Sequence, residues 1–431
     1  MKLRALVIAS AIAFLPAPFA PVAAQALSIT TPEKVGLSKE KLANIGKALT
    51  ADVERGTLAG AVVAVARKGK LAYYESIGFQ NKPAGTKMSK DSIFRIYSMT
   101  KPWTSVAAMM LVEDGRMQLT DPVSKYLPSF KGMKVALATP GPDGQPTYKE
   151  VPADREPTIQ DLLRHTSGIT YDFVTRNAAV KEAYLKADLA ALGAPIRDKV
   201  TAAEMVDSLS KAPLASQPGT VWEYSLSTAV LGRVVEAITG KRLSKFLEER
   251  LFQPLKMADS SFEVSKEKAG RIAQPLLPYE VITIFDPTVP AANDLGGEGG
   301  LSTAGDYLRF GQMLLNGGQL DGKRVLSRST VTLMTSDHIG TRPSTPLGPG
   351  ELLLGVPGYT FGLGFMVRTG AGIAGVPGSQ GEFMWGGAAG TYFWVDPKEQ
   401  LVVVFMAQSP FPTRAIYRRM MKQMVSAAII D

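Results

Sequence analysis

The chain of 431 residues contains no cysteine and only two histidines. The absence of cysteine excludes disulfide bonds, thiolate metal sites and cysteine nucleophiles, so the stability must come from a packed core. The two histidines, His165 and His338, show no zinc-binding spacing, and a Ser-His-Asp triad would have to use one of them. We expect both to be structural, His165 by bonding turn carbonyls. We predict no metal and no cofactor, and expect a lysine or a tyrosine to supply the base of any hydrolytic site.

The chain also lacks basic clusters interleaved with aromatic residues, which argues against nucleic acid as a partner. Its formal net charge is +9, or +7 without Lys2 and Arg4. These two residues precede an apolar run, Ala5–Phe14, and small residues follow, which is typical of a secretory signal. Prolines interrupt the apolar segment, so we predict no stable membrane span. We expect a cleaved signal peptide over residues 1–26 and a periplasmic or secreted protein; a retained anchor is the alternative.

Apolar runs separated by turn residues predict one hairpin near each end of the chain. The strands of these hairpins are expected at residues 60–66, 71–75, 391–395 and 401–406. A helix is predicted before the first hairpin and another after the second, over residues 38–55 and 413–428. We therefore predict an α/β (α+β) fold with an antiparallel sheet, flanked by helices and built from both termini. The predicted α/β part comprises residues 27–97 and 286–431, and a mainly helical insert comprises residues 98–285.

Ser98 and Lys101 lie where a strand-like segment, Ile93–Tyr97, gives way to a helix predicted over Pro102–Glu113. A spacing of three residues places both side chains on one helix face, about one turn apart. The serine oxygen would lie at the positive end of the helix, and a desolvated lysine can remove the hydroxyl proton. S-x-x-K occurs often by chance, so its significance depends on partners elsewhere in the chain.

Two further segments could complete such a site. Tyr224 lies between the Pro218-Gly219 turn and a helix predicted from Ser227, where its phenol could relay a proton inside a cleft. Trp385-Gly386-Gly387 opens the C-terminal hairpin, and glycines at a strand start permit close approach of a ligand and leave N–H groups for an oxyanion. A half-buried core tyrosine and a simple β-bulge are the structural alternatives.

Three other patterns lack a part that their function requires. Gly370–Gly375 fits G-x-G-x-x-G, but a proline follows where a helix must begin. Gly317–Lys323 matches most of a P-loop, yet Arg324 replaces the Ser or Thr that binds magnesium, so we expect a turn. Gly300–Ala304 lacks the last glycine of a nucleophile elbow, and Ser302 is predicted to cap a helix.

Taken together and in this order, the three segments resemble the serine β-lactamase and penicillin-binding-protein superfamily, class C-like and closest to the family VIII carboxylesterases. The resemblance extends over roughly residues 30 to 430. It implies a β-lactamase/transpeptidase-like fold with Ser98 as the acylated nucleophile, Lys101 as its base and Tyr224 as the proton relay. It also implies an oxyanion hole formed by the backbone N–H groups of Ser98 and Ala388.

Two departures from the peptidase and lactamase pattern favour the esterase branch. Leu226 replaces the asparagine of Y-x-N, and Trp385-Gly386-Gly387 replaces the K-T-G whose lysine binds the substrate carboxylate. Each missing charged hydrogen bond is worth ~1.5–3 kcal/mol to substrates that need it. We expect hydrolysis of small-molecule esters with short acyl or aryl groups, bound beside Trp385. β-lactams or D-Ala-D-Ala peptides as substrates, or a non-catalytic envelope binding module, are the alternatives.

Overall fold

The computed structural model describes residues 27–141, 145–189, 194–276, 284–344, 347–409 and 413–431. The predicted signal peptide, residues 1–26, lies outside this part of the chain. Within the described ranges, no helix has both the length and the apolar character needed to cross a bilayer.

One large antiparallel sheet forms the centre of the fold. The strands are β1 Gly60–Arg67, β2 Lys70–Asn81, β3 Thr86–Lys87, β4 Phe94–Arg95, β5 Lys134–Pro140, β6 Pro146–Pro152, β7 Leu301–Ser302, β8 Gln319–Leu320, β9 Lys323–Arg324, β10 Tyr359–Phe361, β11 Met366–Arg368, β12 Phe383–Gly386, β13 Tyr392–Asp396 and β14 Leu401–Ala407. The sheet has the spatial order β10-β11-β12-β13-β14-β1-β2-β3. The two predicted hairpins meet where β1 pairs with β14, with Val63 opposite Phe405. The prediction of one sheet built from both termini is therefore confirmed.

Helices surround this sheet and fill the middle of the chain. The α-helices are α1 Lys39–Glu54, α2 Thr100–Glu113, α3 Ile159–Leu163, α4 Ala178–Lys186, α5 Ala194–Lys199, α6 Ala202–Ser210, α7 Ser227–Thr239, α8 Leu243–Leu247, α9 Ala304–Leu315, α10 Arg328–Met334, α11 Pro349–Leu354 and α12 Thr413–Ala427. Residues 98–285 hold α2 to α8 together with the hairpin β5–β6. The division of the chain at residues 97 and 286 stays a prediction.

Both faces of the sheet are covered, and β14 shows how. Val402 points to α9, where a Cβ on Gly311 would lie 2.6 Å from a Val402 methyl group. Phe405, three residues further along, packs its ring against Tyr417 of α12, with ring centroids 6.0 Å apart. Because side chains alternate along a strand, the odd spacing places α9 and α12 on opposite faces.

Trp103 of α2 joins the helical part to the sheet part. Its buried indole contacts Phe252 with ring centroids 4.8 Å apart, and on α9 it stacks against Tyr307 at 5.5 Å. Nearly the whole of α2 is buried, so this helix is fixed at the middle of the core. The residues at the start of α2 are therefore held in place by packing on several sides.

Two local predictions were wrong. The strand expected over Ile93–Tyr97 is reduced to β4, which pairs with β7, because Ile96 is already helical with φ −91° and ψ −6° and Tyr97 follows with a φ of +42°. Ser302 does not cap a helix: it lies in β7 and bonds the Ser260 hydroxyl, while Thr303 caps α9 by accepting the Asp306 N–H at 3.2 Å.

Candidate active site

Ser98, Lys101 and Tyr224 are in contact. The Ser98 Oγ lies 3.3 Å from the Lys101 Nζ, and the Tyr224 hydroxyl donates a hydrogen bond to this Oγ at 2.7 Å. Ser98 belongs to a 3₁₀ turn directly before α2, Lys101 to the first turn of α2, and Tyr224 to the loop before α7. Lys101 and Tyr224 are buried, whereas Ser98 is partly exposed. The serine is therefore the member of the three that a substrate reaches first.

The turn that carries Ser98 is strained and firmly anchored. The positive φ of Tyr97 is a conformation that costs on the order of 1–3 kcal/mol for a residue other than glycine. The Thr100 hydroxyl donates to the Tyr97 carbonyl at 2.6 Å and accepts the Gly300 N–H at 2.9 Å. The Ile96 N–H donates to the Gly300 carbonyl at 3.0 Å. These bonds tie the serine turn to the segment that enters β7.

Behind the serine, the Lys101 amine has two partners that the sequence did not predict. Its Nζ lies 2.9 Å from the Gly297 carbonyl oxygen and 3.1 Å from the Tyr171 hydroxyl. The Tyr171 hydroxyl in turn donates to the Glu298 Oε1 at 2.8 Å. All three residues come from segments far from Lys101 in sequence. The one available signal was a single glutamate within a run of four glycines, residues 296–300.

Burial shifts the pKa values of the two ionisable groups behind Lys101, the Tyr171 phenol and the Glu298 carboxylate. Burial raises the pKa of the Tyr171 phenol well above its usual range, and the Glu298 carboxylate acts in the same direction. Burial also raises the pKa of Glu298, whereas the positive charge of Lys101 and the Tyr171 hydrogen bond lower it. The phenol of Tyr171 therefore keeps its proton and serves as a hydrogen-bond donor.

Aromatic rings form the walls around Tyr224. Its ring centroid lies 5.0 Å from that of His165, 5.2 Å from that of Tyr171 and 5.4 Å from that of Trp385. Phe361 completes the wall, with its centroid 5.3 Å from that of Trp385. These rings are buried, so the phenol of Tyr224 is held in an apolar setting. Tyr224 is thus buried, as a core tyrosine would be, and its hydroxyl also contacts Ser98; its role as a proton relay stays a prediction.

The two histidines do not contact Ser98. The His165 Nδ1 lies 2.9 Å from the Ser225 hydroxyl, and so the ring bonds a side chain rather than the expected turn carbonyl. Burial lowers the pKa of His165 well below its ordinary value of 6.5, and the positive charge of Lys101 acts in the same direction. The His338 ring lies 2.8 Å from the Leu333 carbonyl and also contacts Gln160.

Trp385-Gly386-Gly387 lies at a different place in the sheet from the one predicted, and its contact with a substrate stays a prediction. The segment ends β12 instead of opening a strand. A Cβ on Gly387 would lie 2.3 Å from the Ile96 carbonyl oxygen, and one on Gly386 would lie 2.9 Å from the Arg418 guanidinium. The glycines are therefore needed for close packing within the chain itself. Ala388 follows and is partly exposed; its carbonyl accepts from Arg414 at 2.9 Å, and its N–H stays a predicted oxyanion donor.

Comparison with known proteins agrees with this fold. The Beta-lactamase family model matches residues 45–422. Protein Rv1367c of Mycobacterium tuberculosis is 35% identical over 368 residues, which cover 82% of this chain and 87% of that protein. Esterase EstB of Burkholderia gladioli is 30% identical over 377 residues, with the same coverage of 82% and 87%.

A solved structure shows the same fold. EstCE1, described as a hydrolase with promiscuous acyltransferase activity, superimposes with a TM-score of 0.72 at 24% identity. The match covers 91% of this chain and 99% of that chain. Together with the family match over most of its length, this shows that the chain belongs to the beta-lactamase family of serine hydrolases, with an esterase among its relatives.

Proposed function

We propose that this protein is a carboxylesterase that forms an acyl-enzyme on Ser98. The observation that carries the proposal is the contact of the Ser98 Oγ with the Lys101 Nζ at 3.3 Å and with the Tyr224 hydroxyl at 2.7 Å. An alcohol becomes an effective nucleophile when an adjacent base removes its proton. In the proposed reaction, the neutral amine of Lys101 takes this proton while the Ser98 oxygen attacks the ester carbonyl carbon.

Tyr224 and two backbone N–H groups complete the proposed cycle. The N–H groups of Ser98 and Ala388 would bind the oxyanion of the tetrahedral intermediate. Tyr224 donates its proton to the leaving alkoxide oxygen as the C–O bond breaks, and it regains a proton from Lys101, whose Nζ lies 4.7 Å from the Tyr224 ring centroid. Water then attacks the acyl-enzyme by the reverse route, which releases the carboxylic acid and the free Ser98 hydroxyl.

The apolar walls support esters as the substrate class. Leu226 and Trp385 occupy the positions at which the peptidase and lactamase pattern has polar groups, and both side chains are buried. Neither side chain offers a charged or amide group to an amide- or carboxylate-bearing substrate, whereas a short acyl or aryl ester needs none. Esters with apolar groups on both sides of the scissile bond should therefore bind best.

Kinetics with two chromogenic substrates test this proposal. The wild type should hydrolyse p-nitrophenyl butyrate with a higher kcat/KM than nitrocefin. Ser98→Ala should abolish ester turnover and leave the melting temperature unchanged within a few degrees. Ser327→Ala, which removes a serine from the start of α10, is the matched control and should keep the wild-type kcat.

Two results would contradict the proposal. Undiminished ester hydrolysis by folded Ser98→Ala would remove Ser98 from the reaction. A clear preference of the wild type for nitrocefin would favour β-lactams as the substrate class.

Export forms a second part of the proposal. The basic start, apolar run and small residues within residues 1–26 support a cleaved signal and a periplasmic or secreted enzyme. The mass of the protein purified from a periplasmic or culture fraction should correspond to a chain that begins near residue 27. A full-length chain retained inside the cell would contradict export.

A further inference from the structure

We propose that Glu298 is a positioning residue that fixes the direction of the hydrogen bonds at Lys101, so that the amine lone pair points to Ser98. This inference deepens the proposed function and rests on it. Glu298 is 4% exposed, and its carboxylate accepts the hydrogen bond of the Tyr171 hydroxyl at 2.8 Å. It does not touch the reacting atoms, and it acts through Tyr171.

To act as the base, Lys101 must be in its neutral amine form, which has two N–H donors and one lone pair. The Gly297 carbonyl, 2.9 Å from the Lys101 Nζ, can only accept, so it takes the first N–H. The Tyr171 hydroxyl gives its own proton to Glu298, and so its oxygen, 3.1 Å from Nζ, can only accept from Lys101. This oxygen takes the second N–H. The lone pair is left for the remaining neighbour, the Ser98 hydroxyl at 3.3 Å.

Without the Glu298 carboxylate, this arrangement of hydrogen-bond donors and acceptors around Lys101 would be lost. A phenol both donates and accepts, and an amine lone pair is the strongest acceptor within its reach. The Tyr171 hydroxyl would then turn its proton toward the Lys101 lone pair and compete with Ser98 for it. Tyr171 and Lys101 are 2% and 1% exposed, so bulk water cannot easily replace the missing acceptor. Burial keeps the pKa of Tyr171 far above neutrality, which means that the competing proton is always present.

A pair of substitutions separates this role from a purely structural one. Glu298→Leu should lower kcat for p-nitrophenyl butyrate by about 10- to 100-fold with KM changed less than about threefold, since a misdirected base loses part of its catalytic contribution. Adding Tyr171→Phe removes the competing hydroxyl. The double variant should therefore be about tenfold faster than Glu298→Leu alone.

Glu236→Leu is the control, because this carboxylate is partly buried but accepts the Leu243 N–H at 3.1 Å on a different helix. It should keep the wild-type kcat. If Glu298→Leu does not fold, Glu298→Gln replaces it. The neutral amide of that variant accepts more weakly than the carboxylate and can also donate to Tyr171, so kcat should fall less than in Glu298→Leu, and the addition of Tyr171→Phe should again raise it.

The inference is overturned if Glu298→Leu retains the wild-type kcat, or if adding Tyr171→Phe leaves kcat the same or lowers it further. Failure of the proposed function looks different, because folded Ser98→Ala would then still hydrolyse the ester. Loss of activity in Ser98→Ala together with an unaffected Glu298→Leu would leave the esterase proposal intact and remove Glu298 alone.

Discussion

Two glycine-rich segments border the proposed catalytic residues, and they serve the site in different ways. Gly297 presents its carbonyl to Lys101, and a Cβ at this position would lie 3.3 Å from the Lys101 Nζ. Gly387 makes room for the Ile96 carbonyl, which belongs to the chain leading into Ser98. The first segment therefore contacts the proposed base directly, whereas the second supports the backbone that carries the nucleophile. A substitution in the first segment should therefore lower kcat, whereas one in the second should lower the free energy of unfolding.

The largest effect on kcat is expected for substitution of Lys101, whose amine contacts the first segment. Lys101→Ala should lower kcat for p-nitrophenyl butyrate by about 10²- to 10⁴-fold, the usual range for loss of a general base. Labelling of Ser98 by a fluorophosphonate should slow to a similar degree. Lys125→Ala, at an exposed lysine paired with Asp121, is the control and should leave both rates unchanged. A folded Lys101→Ala variant with more than a tenth of the wild-type kcat would exclude this lysine as the base.

Gly387→Ala should lower the free energy of unfolding. Its Cβ would overlap the Ile96 carbonyl oxygen and the Thr391 hydroxyl, each 2.3 Å away, and this backbone cannot yield without moving the serine turn. Overpacking of this kind costs ~1–3 kcal/mol of the free energy of unfolding, measured by urea denaturation. Gly370→Ala, where a Cβ meets nothing within 4 Å, is the matched control. Equal stability of the two variants would contradict the assignment of Gly387 to packing.

Gly297→Ala should show the opposite pattern. A Cβ 3.3 Å from the Lys101 Nζ displaces the amine by a few tenths of an ångström, while its other neighbour, the Ala229 nitrogen, lies at an ordinary contact distance of 3.6 Å. We expect kcat to fall about tenfold with the free energy of unfolding nearly unchanged, because small misplacements of a catalytic group are costly. A Gly297→Ala variant that loses stability and keeps its kcat would contradict the assignment of this segment to the catalytic site.

The smallest effect is expected at His165, whose ring lies on the aromatic wall around Tyr224. Burial depresses the pKa of the folded state below 6.5, so the unfolded chain binds more protons as the pH falls. The contribution of His165 is fully present above pH 6.5 and is lost below it, with a slope of at most about 1.4 kcal/mol per pH unit. His338 acts in the same direction.

His165→Asn tests this directly, because asparagine tolerates the φ of +58° at this position. Urea denaturation at pH values from 7 down to 5 should show a shallower loss of stability for the variant than for the wild type. Identical slopes would show that the histidine is not held neutral in the folded protein.

The sequence predicted the parts of the site that leave a local pattern. The helical spacing of Ser98 and Lys101, and the turn before Tyr224, follow from neighbours in the chain. Tyr171 and Glu298 were missed because only the tertiary fold brings Tyr171 to Lys101 and Glu298 to Tyr171, and the Lys101–Gly297 bond spans 196 residues. The glycines at 386 and 387 were recognised as sites of close approach, but a sequence does not show whether the partner is a ligand or the chain itself.

The fold, like the site, could be predicted where the signal lies in residues that are neighbours in the chain. Continuous apolar runs and turn residues predicted both hairpins and the helices at their ends. The strand expected over Ile93–Tyr97 is shorter than predicted because its last two residues, Ile96 and Tyr97, are buried in the turn before α2, where Tyr97 has a positive φ and its carbonyl accepts the Thr100 hydroxyl. An apolar pattern reports burial and does not by itself report backbone conformation.

The most direct test of the central claim is a mass spectrum of the protein quenched with acid during turnover of p-nitrophenyl butyrate. We expect a butyryl group on the peptide that contains Ser98. The same peptide of Ser98→Ala should carry no such group. Ester turnover by the wild type with no adduct at Ser98, under conditions in which a fluorophosphonate adduct on this peptide is detected, would contradict the acyl-enzyme.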